Sequence, residues 1–302
     1  MMNDKIPKSL AIIQDIAGIG RCSLGVALPV VSACGVQACP LPTAVFSSHT
    51  GFPTFYKRDL SEDLSRHLLS WERLNRHFDG IYCGYLGSAS QMEVIASYIK
   101  RETALFGQTR IIIDPVMGDH GKMYQNLPTD YKDAMKGFVA NAGLITPNIT
   151  EACLLTDTPC QEYGWSADAL FTISKKLHAL GPEQVIVTGI QEDNQFLNYI
   201  SDDTGAELVS ECCVTPVSGA SRPGTGDIFA SIVCALLLRG RVLSDCVKIA
   251  ANFVATCIKS SDDADVPVCE GVIFESSLGL LTEDSILSDP SCPLKYQSSQ
   301  RS

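Results

Sequence analysis

The sequence predicts an α/β protein built on a doubly wound, mostly parallel sheet with helices on both faces and an antiparallel hairpin at one edge. Three observations predict it. Short apolar runs recur along the chain, each is closed by Gly, Pro, Asn or Asp, and helical periodicity fills the stretches between them.

Residues 9–14 (SLAIIQ) read as a first buried strand, and residues 35–40 lead into a second. Residues 80–84 (GIYCG), 110–113 (RIII), 142–145 (AGLI) and 184–188 (QVIVT) continue the series. These runs are apolar at successive positions, as strands buried on both faces must be. Helices are expected over 23–34, 60–77, 90–106, 131–140 and 167–180. Residues 194–200 and 206–214 flank the turn sequence Ser201-Asp202-Asp203-Thr204-Gly205 and read as the edge hairpin. Two apolar helices follow, over 227–238 and 244–260. No internal repeat or linker divides the chain. Residues 1–281 are expected to form a single domain, and 282–302, rich in Ser, Asp and Pro, a polar tail that frays.

With 302 residues, 45% of them hydrophobic, there is material for one large core. A formal net charge of −11 lacks the positive field that nucleic acid or anionic membranes require, so neither is an expected partner. No apolar run approaches the roughly 18–20 residues of a membrane span, and Met1-Met2-Asn3-Asp4-Lys5 shows no secretory h-region. The thirteen cysteines are odd in number, scattered, and form neither Cys-x-x-Cys nor zinc-like spacing. The reading is reduced thiols in a cytoplasmic protein.

In such sheets, ligands bind beyond the carboxyl ends of the strands. The strongest motif there is Arg222-Pro223-Gly224-Thr225-Gly226-Asp227, followed at once by an apolar helix. Glycines let backbone N–H groups converge at a helix start, where the dipole attracts an anion. Asp227 is placed to take a proton from an alcohol, or simply to cap the helix. Asn148 and Glu151 in Thr146-Pro147-Asn148-Ile149-Thr150-Glu151 stand three apart; they form either a capping box or a site for hydrated Mg²⁺. Asp114 ends a strand and suits metal or phosphate positioning, or an Asp-Pro turn, and Gly118, Asp119 and Gly121 beyond it suggest a mobile loop. Gln14-Asp15, His49-Thr50 and Gly84-Tyr85 mix hydrogen-bonding groups with an aromatic ring, which suits a small planar ligand. There is no Gly-x-x-x-x-Gly-Lys-Ser/Thr, which excludes a Walker-type nucleotide site.

From about residue 9 to 260 the chain resembles the ribokinase-like superfamily, and within it the pyridoxal/pyridoxamine (vitamin B6) kinases. Gly224-Thr225-Gly226-Asp227 carries the superfamily resemblance. Phe46-Ser47-Ser48-His49-Thr50 and Gly84-Tyr85-Leu86-Gly87-Ser88 carry the more specific one, with Asp114-Pro115-Val116-Met117-Gly118 and Thr146-Pro147-Asn148 between. The resemblance implies ATP-dependent phosphorylation of a 5′-hydroxymethyl group, with Asp227 as base and Gly224, Thr225 and Gly226 as anion hole. It implies that Asn148, Glu151, Thr188, Asp114 and Asp119 serve ATP and its phosphates. Glu151 and Asp114 would hold Mg²⁺ through water, with K⁺ as a further candidate ion. Asp15, Thr50, Tyr85 and His49 would line the pyridine pocket, residues 118–124 would close over the phosphates, and the protein would be a homodimer. B6 kinases carry Gln-Ser-His where this chain has Gln14-Asp15-Ile16, so a carboxylate replaces a ring-binding serine, with Arg21 nearby to offset it. That carboxylate would favour pyridoxamine. Hydroxymethylpyrimidine kinase and a non-catalytic vitamin- or nucleotide-binding protein are the alternatives.

Overall fold

Alternation within single strands decides the architecture. In β1 (Ser9–Ala17), Leu10 and Ile12 are buried in one apolar cluster while Ala11 and Ile13 are buried in another. A strand apolar on both sides needs helices on both. The computed structural model describes residues 6–192, 195–205, 208–216 and 222–282. After β1 come α1 (Ser23–Ala33), β2 (Gln37–Phe46), β3 (Lys57–Asp59), α2 (Ser61–Arg73), β4 (Gly80–Cys83) and α3 (Ala89–Phe106). Then follow β5 (Arg110–Ile113), β6 (Gly118–Asp119), β7 (Lys122–Met123), α4 (Tyr131–Val139), β8 (Leu144–Ile145), α5 (Ile149–Thr156) and α6 (Ala167–His178). The chain continues through β9 (Gln184–Glu192), β10 (Gln195–Asp202), β11 (Val209–Pro216), α7 (Thr225–Leu238) and α8 (Leu243–Asp263).

The main sheet has nine strands in the order β11-β10-β9-β8-β5-β4-β1-β2-β3. Pairing is parallel from β9 to β2, and β10–β11 is the expected antiparallel hairpin. The expected starts of that hairpin at 194 and 206 lie outside the described residues, as does the tail from 283. One cluster packs α1, α7 and α8 on one face; the other packs α2 to α6 on the opposite face. Every residue from Ile228 to Leu238 is buried, so α7 is a core helix rather than an amphipathic surface one.

Two features differ from expectation. The other sheet edge carries β3, antiparallel to β2, which the charged sequence Lys57-Arg58-Asp59 did not signal. The stretch expected to be a mobile loop over 118–124 contains the β6–β7 hairpin instead. Met117 is fully buried ahead of it and Met123 packs on the core, so it has the apolar anchors its glycines concealed. Among the described residues no helix is long and apolar enough to cross a membrane, and the twelve described cysteines are free thiols, most of them buried.

Tyr131 pins two site loops to α4. It is wholly buried, and its hydroxyl lies 3.0 Å from the Leu86 carbonyl oxygen and 3.1 Å from that of Val116. Tyr131→Phe removes the donor that both carbonyls share, so it should cost about 1–3 kcal/mol of stability in denaturant unfolding. An unchanged midpoint would show that neither bond matters.

Candidate active site

The carboxyl ends of β1, β4, β5, β8 and β9 meet the first turn of α7 at one edge of the sheet. Gly224 precedes that turn with φ +82°, in the left-handed region, and a Cβ there would overlap the Arg21 carbonyl oxygen. Only glycine fits. The first helical bond of α7 is Ile228 N–H to Gly224 O at 3.0 Å, which leaves the N–H groups of Thr225, Gly226 and Asp227 ahead of the helical ladder. A Cβ at Gly226 would meet nothing within 4 Å, so this turn opens on free space. Arg222 holds it from behind: buried, it pairs with Asp262 at 2.8 Å and donates to the carbonyls of Val266 and Gly271.

Asp227 accepts the Ser23 backbone N–H at 2.8 Å, which ties the start of α7 to the start of α1. The Ser23 hydroxyl donates to Asp15 at 2.7 Å, so one serine joins both carboxylates. Asp227 as a residue is half-buried, but its carboxyl lies deep enough that burial pushes it up to about 7, with Asp15 adding to the rise and Ser23 opposing it. Asp114 is pushed up to about 7 by burial and then by the charge of Asp227. Asp15 is pushed up to about 6 by burial, against the Ser23 hydroxyl. Glu151 is raised by burial and then by Asp114. Four acidic groups therefore share one crevice, each disfavouring the charge of a neighbour.

The Asn148–Glu151 pair forms the capping box: Glu151 N–H donates to Asn148 Oδ1 at 2.9 Å, and Asn148 N–H donates to Glu151 Oε2 at 2.9 Å. Glu151 Oε1 also accepts the Met117 N–H at 3.0 Å, and Asn148 Nδ2 donates to the Gly118 carbonyl at 2.8 Å. Both side chains are thus tied to the backbone of the β6–β7 segment as well as to α5. Gly121 N–H completes the attachment by donating to Thr150 Oγ1 at 2.9 Å. Thr188 bridges to Asn148 and donates its N–H to the Pro147 carbonyl, which puts it at the same place. Asp119 sits apart from the buried acids, exposed at the hairpin and accepting the His120 N–H at 2.7 Å.

On the other side of Asp227, two expectations change. Arg21 does not offset Asp15; it pairs with Glu275 at 2.7 Å, while the charge of Lys57 is among those that lower Asp15. His49 does not present a free ring nitrogen: Nδ1 accepts the Gly51 N–H and Nε2 faces the Cys269 carbonyl oxygen. It fastens the loop after β2 to residue 269. Thr50 is exposed beside it, and Tyr85 is half-buried against Phe46, ring centres 6.2 Å apart. Lys57, Phe46 and Arg222 went unassigned in the sequence; the Arg222 motif was read for its glycines, and Lys57 lies in a stretch without apolar pattern.

The family model described as phosphomethylpyrimidine kinase matches residues 28–269. The chain belongs to this family. It is 26% identical to a pyridoxal kinase of Rubrobacter xylanophilus over 82% of this chain and 86% of that one. A pyridoxal kinase of Arabidopsis thaliana is 32% identical, over 52% of this chain and 50% of the plant protein. A Bacteroides thetaiotaomicron crystal structure with pyridoxal superposes with TM-score 0.85 at 33% identity, covering 91% of this chain and 96% of that one. The pyridoxal kinase of Lactobacillus plantarum gives 0.82 at 29% identity, covering 91% and 96%. These structures bear out the ribokinase-like α/β fold.

The raised carboxyls have a consequence for the unliganded protein. Each keeps its proton to a higher pH folded than unfolded, so their contribution is full below about pH 4 and is lost as pH rises through 6 to 7. Asp114→Asn should melt above wild type at pH 8, with the gap closing towards pH 5. A gap independent of pH would contradict these shifts.

Proposed function

We propose that this protein transfers the γ-phosphoryl group of ATP to the 5′-hydroxymethyl group of a vitamin B6 vitamer. The observation that carries this reading is Asp227, held by the Ser23 N–H beside three N–H groups at the start of α7 that have no acceptor among the described residues. A general base works best with a pKa near the operating pH, and burial brings Asp227 to about 7. Its carboxylate takes the proton of the substrate hydroxyl as the oxygen attacks. The N–H groups of Thr225 and Gly226, expected in this role together with Gly224, and that of Asp227 receive the charge that spreads over the transferring phosphoryl oxygens. The Gly224 turn keeps those donors fixed, so little reorganisation is needed at the moment of transfer.

The residues present suit Mg²⁺ with ATP. Asp114 and Glu151 are buried oxygen donors, each raised by burial and then by a neighbouring carboxylate, and oxygen ligands are what Mg²⁺ prefers. Each Glu151 oxygen already accepts one backbone N–H, so Glu151 would act through water. Mg²⁺ when bound would neutralise phosphate charge. Asn148 and Glu151 hold the β6–β7 hairpin in position, and Thr188 stands next to Asn148 on the nucleotide side. The pyridoxal kinases among its relatives and the pyridoxal in the Bacteroides structure support the vitamer as acceptor.

The test is ATP consumption with pyridoxal, pyridoxine, pyridoxamine and hydroxymethylpyrimidine as acceptors. At least one vitamer should exceed hydroxymethylpyrimidine in kcat/KM. Preference for hydroxymethylpyrimidine would move the substrate assignment, and binding of all four without turnover would make the chain a carrier.

A further inference from the structure

We infer that Lys57 reads the ring 3-oxygen of the vitamer and biases the pocket against a vitamer carrying its own ammonium. The inference rests on the acceptor proposed above. Lys57 lies opposite Phe46 in the β2–β3 register, at the end of the sheet where β1 delivers Asp15. Its Nζ is 5.6 Å from the centre of the Phe46 ring, 5.7 Å from that of Tyr85 and 3.4 Å from the Tyr85 hydroxyl. Two aromatic rings thus flank a cation without neutralising it. Among the described residues no carboxylate lies within ion-pair distance of Lys57. Asp59 on the same strand is occupied elsewhere: Oδ1 accepts the Ser61 N–H at 2.8 Å, and Oδ2 faces Gln91 Nε2 at 3.4 Å.

The wall that carries Lys57 is built rather than loose. Gln91 is 1% exposed, and its amide joins three segments: Oε1 accepts the Gly87 N–H, while Nε2 donates to the Thr43 carbonyl and the Ser61 hydroxyl. Thr43 Oγ1 donates in turn to the Tyr85 carbonyl at 3.0 Å. β2, the start of α2 and the loop after β4 are therefore one unit, and Lys57 and Tyr85 move with it. A buried amide with this many partners is costly to disturb.

The B6 vitamers share a phenolic oxygen at ring position 3 and differ at position 4, which bears an aldehyde, a hydroxymethyl or an aminomethyl group. Only the aminomethyl group is cationic at neutral pH. An ammonium in an aromatic niche attracts the phenolate and the neighbouring neutral oxygen, and repels a second ammonium. Asp15 alone would pull the other way, but its oxygen accepts the Ser23 hydroxyl at 2.7 Å and the charge of Lys57 acts against its own from beyond ion-pair distance. The preference for pyridoxamine expected from Asp15 is thereby offset.

The experiment compares kcat/KM for pyridoxine and 3-deoxypyridoxine in wild type, Lys57→Gln and Lys57→Arg. Wild type should favour pyridoxine by about ten- to a hundred-fold, the range of one charge-assisted hydrogen bond. Lys57→Gln should lose most of that discrimination and Lys57→Arg should recover part of it. The absorbance of bound pyridoxine gives a second readout, since its phenolate and neutral forms absorb differently: the phenolate band should weaken in Lys57→Gln. Turnover with the same discrimination in Lys57→Gln as in wild type overturns the inference alone. No turnover of any vitamer by wild type overturns the acceptor assignment and this inference with it.

Discussion

The hydrogen bond from the Ser23 backbone to Asp227 is the constraint on which the site depends. It fastens the first turn of a core helix, α7, to the first turn of α1, so two helix starts face one crevice. Everything from Ile228 to Leu238 is buried, so α7 cannot shift along its axis without opening the core. The position of Asp227 is therefore set by packing on the far side of the helix. Its raised pKa follows from the same burial.

Charge is the second constraint. The chain is strongly acidic and then gathers Asp15, Asp114, Glu151 and Asp227 in one place. Such a crevice resists ionisation on its own and gains from a cation or from protonation. Backbone N–H groups supply part of the compensation, at Ser23 for Asp227 and at Met117 and Asn148 for Glu151. At the β3 edge the charge of Lys57 acts against that of Asp15. Arg21 and Arg222 are bound to Glu275 and Asp262 and serve the architecture.

The strand–helix alternation was legible because strands buried on both faces leave apolar runs that no surface segment imitates, as in residues 9–14 and 110–113. The Gly224–Asp227 turn was legible because its glycines have a use only where backbone must approach closely. Asn148 and Glu151 could not be resolved from sequence, since a capping box and an ion site use the same residue types at the same spacing. Lys57 was not legible: β3 is three charged residues long, and only pairing with β2 turns it towards Phe46 and Tyr85. His49 was expected at the pyridine pocket, and nothing in the sequence signals the carbonyl of Cys269, more than two hundred residues away, as its partner.

In the proposed mechanism Asp227 acts as base while the nucleotide site stands independently of its carboxylate. Asp227→Asn keeps the shape of the side chain and an oxygen able to accept the Ser23 N–H. The most direct measurement is the single-turnover rate of Asp227→Asn with its best vitamer, paired with ATP affinity by calorimetry. The mechanism predicts a rate lower by about 10²–10⁴-fold with ATP affinity close to wild type. A near-normal rate in the folded variant would contradict it.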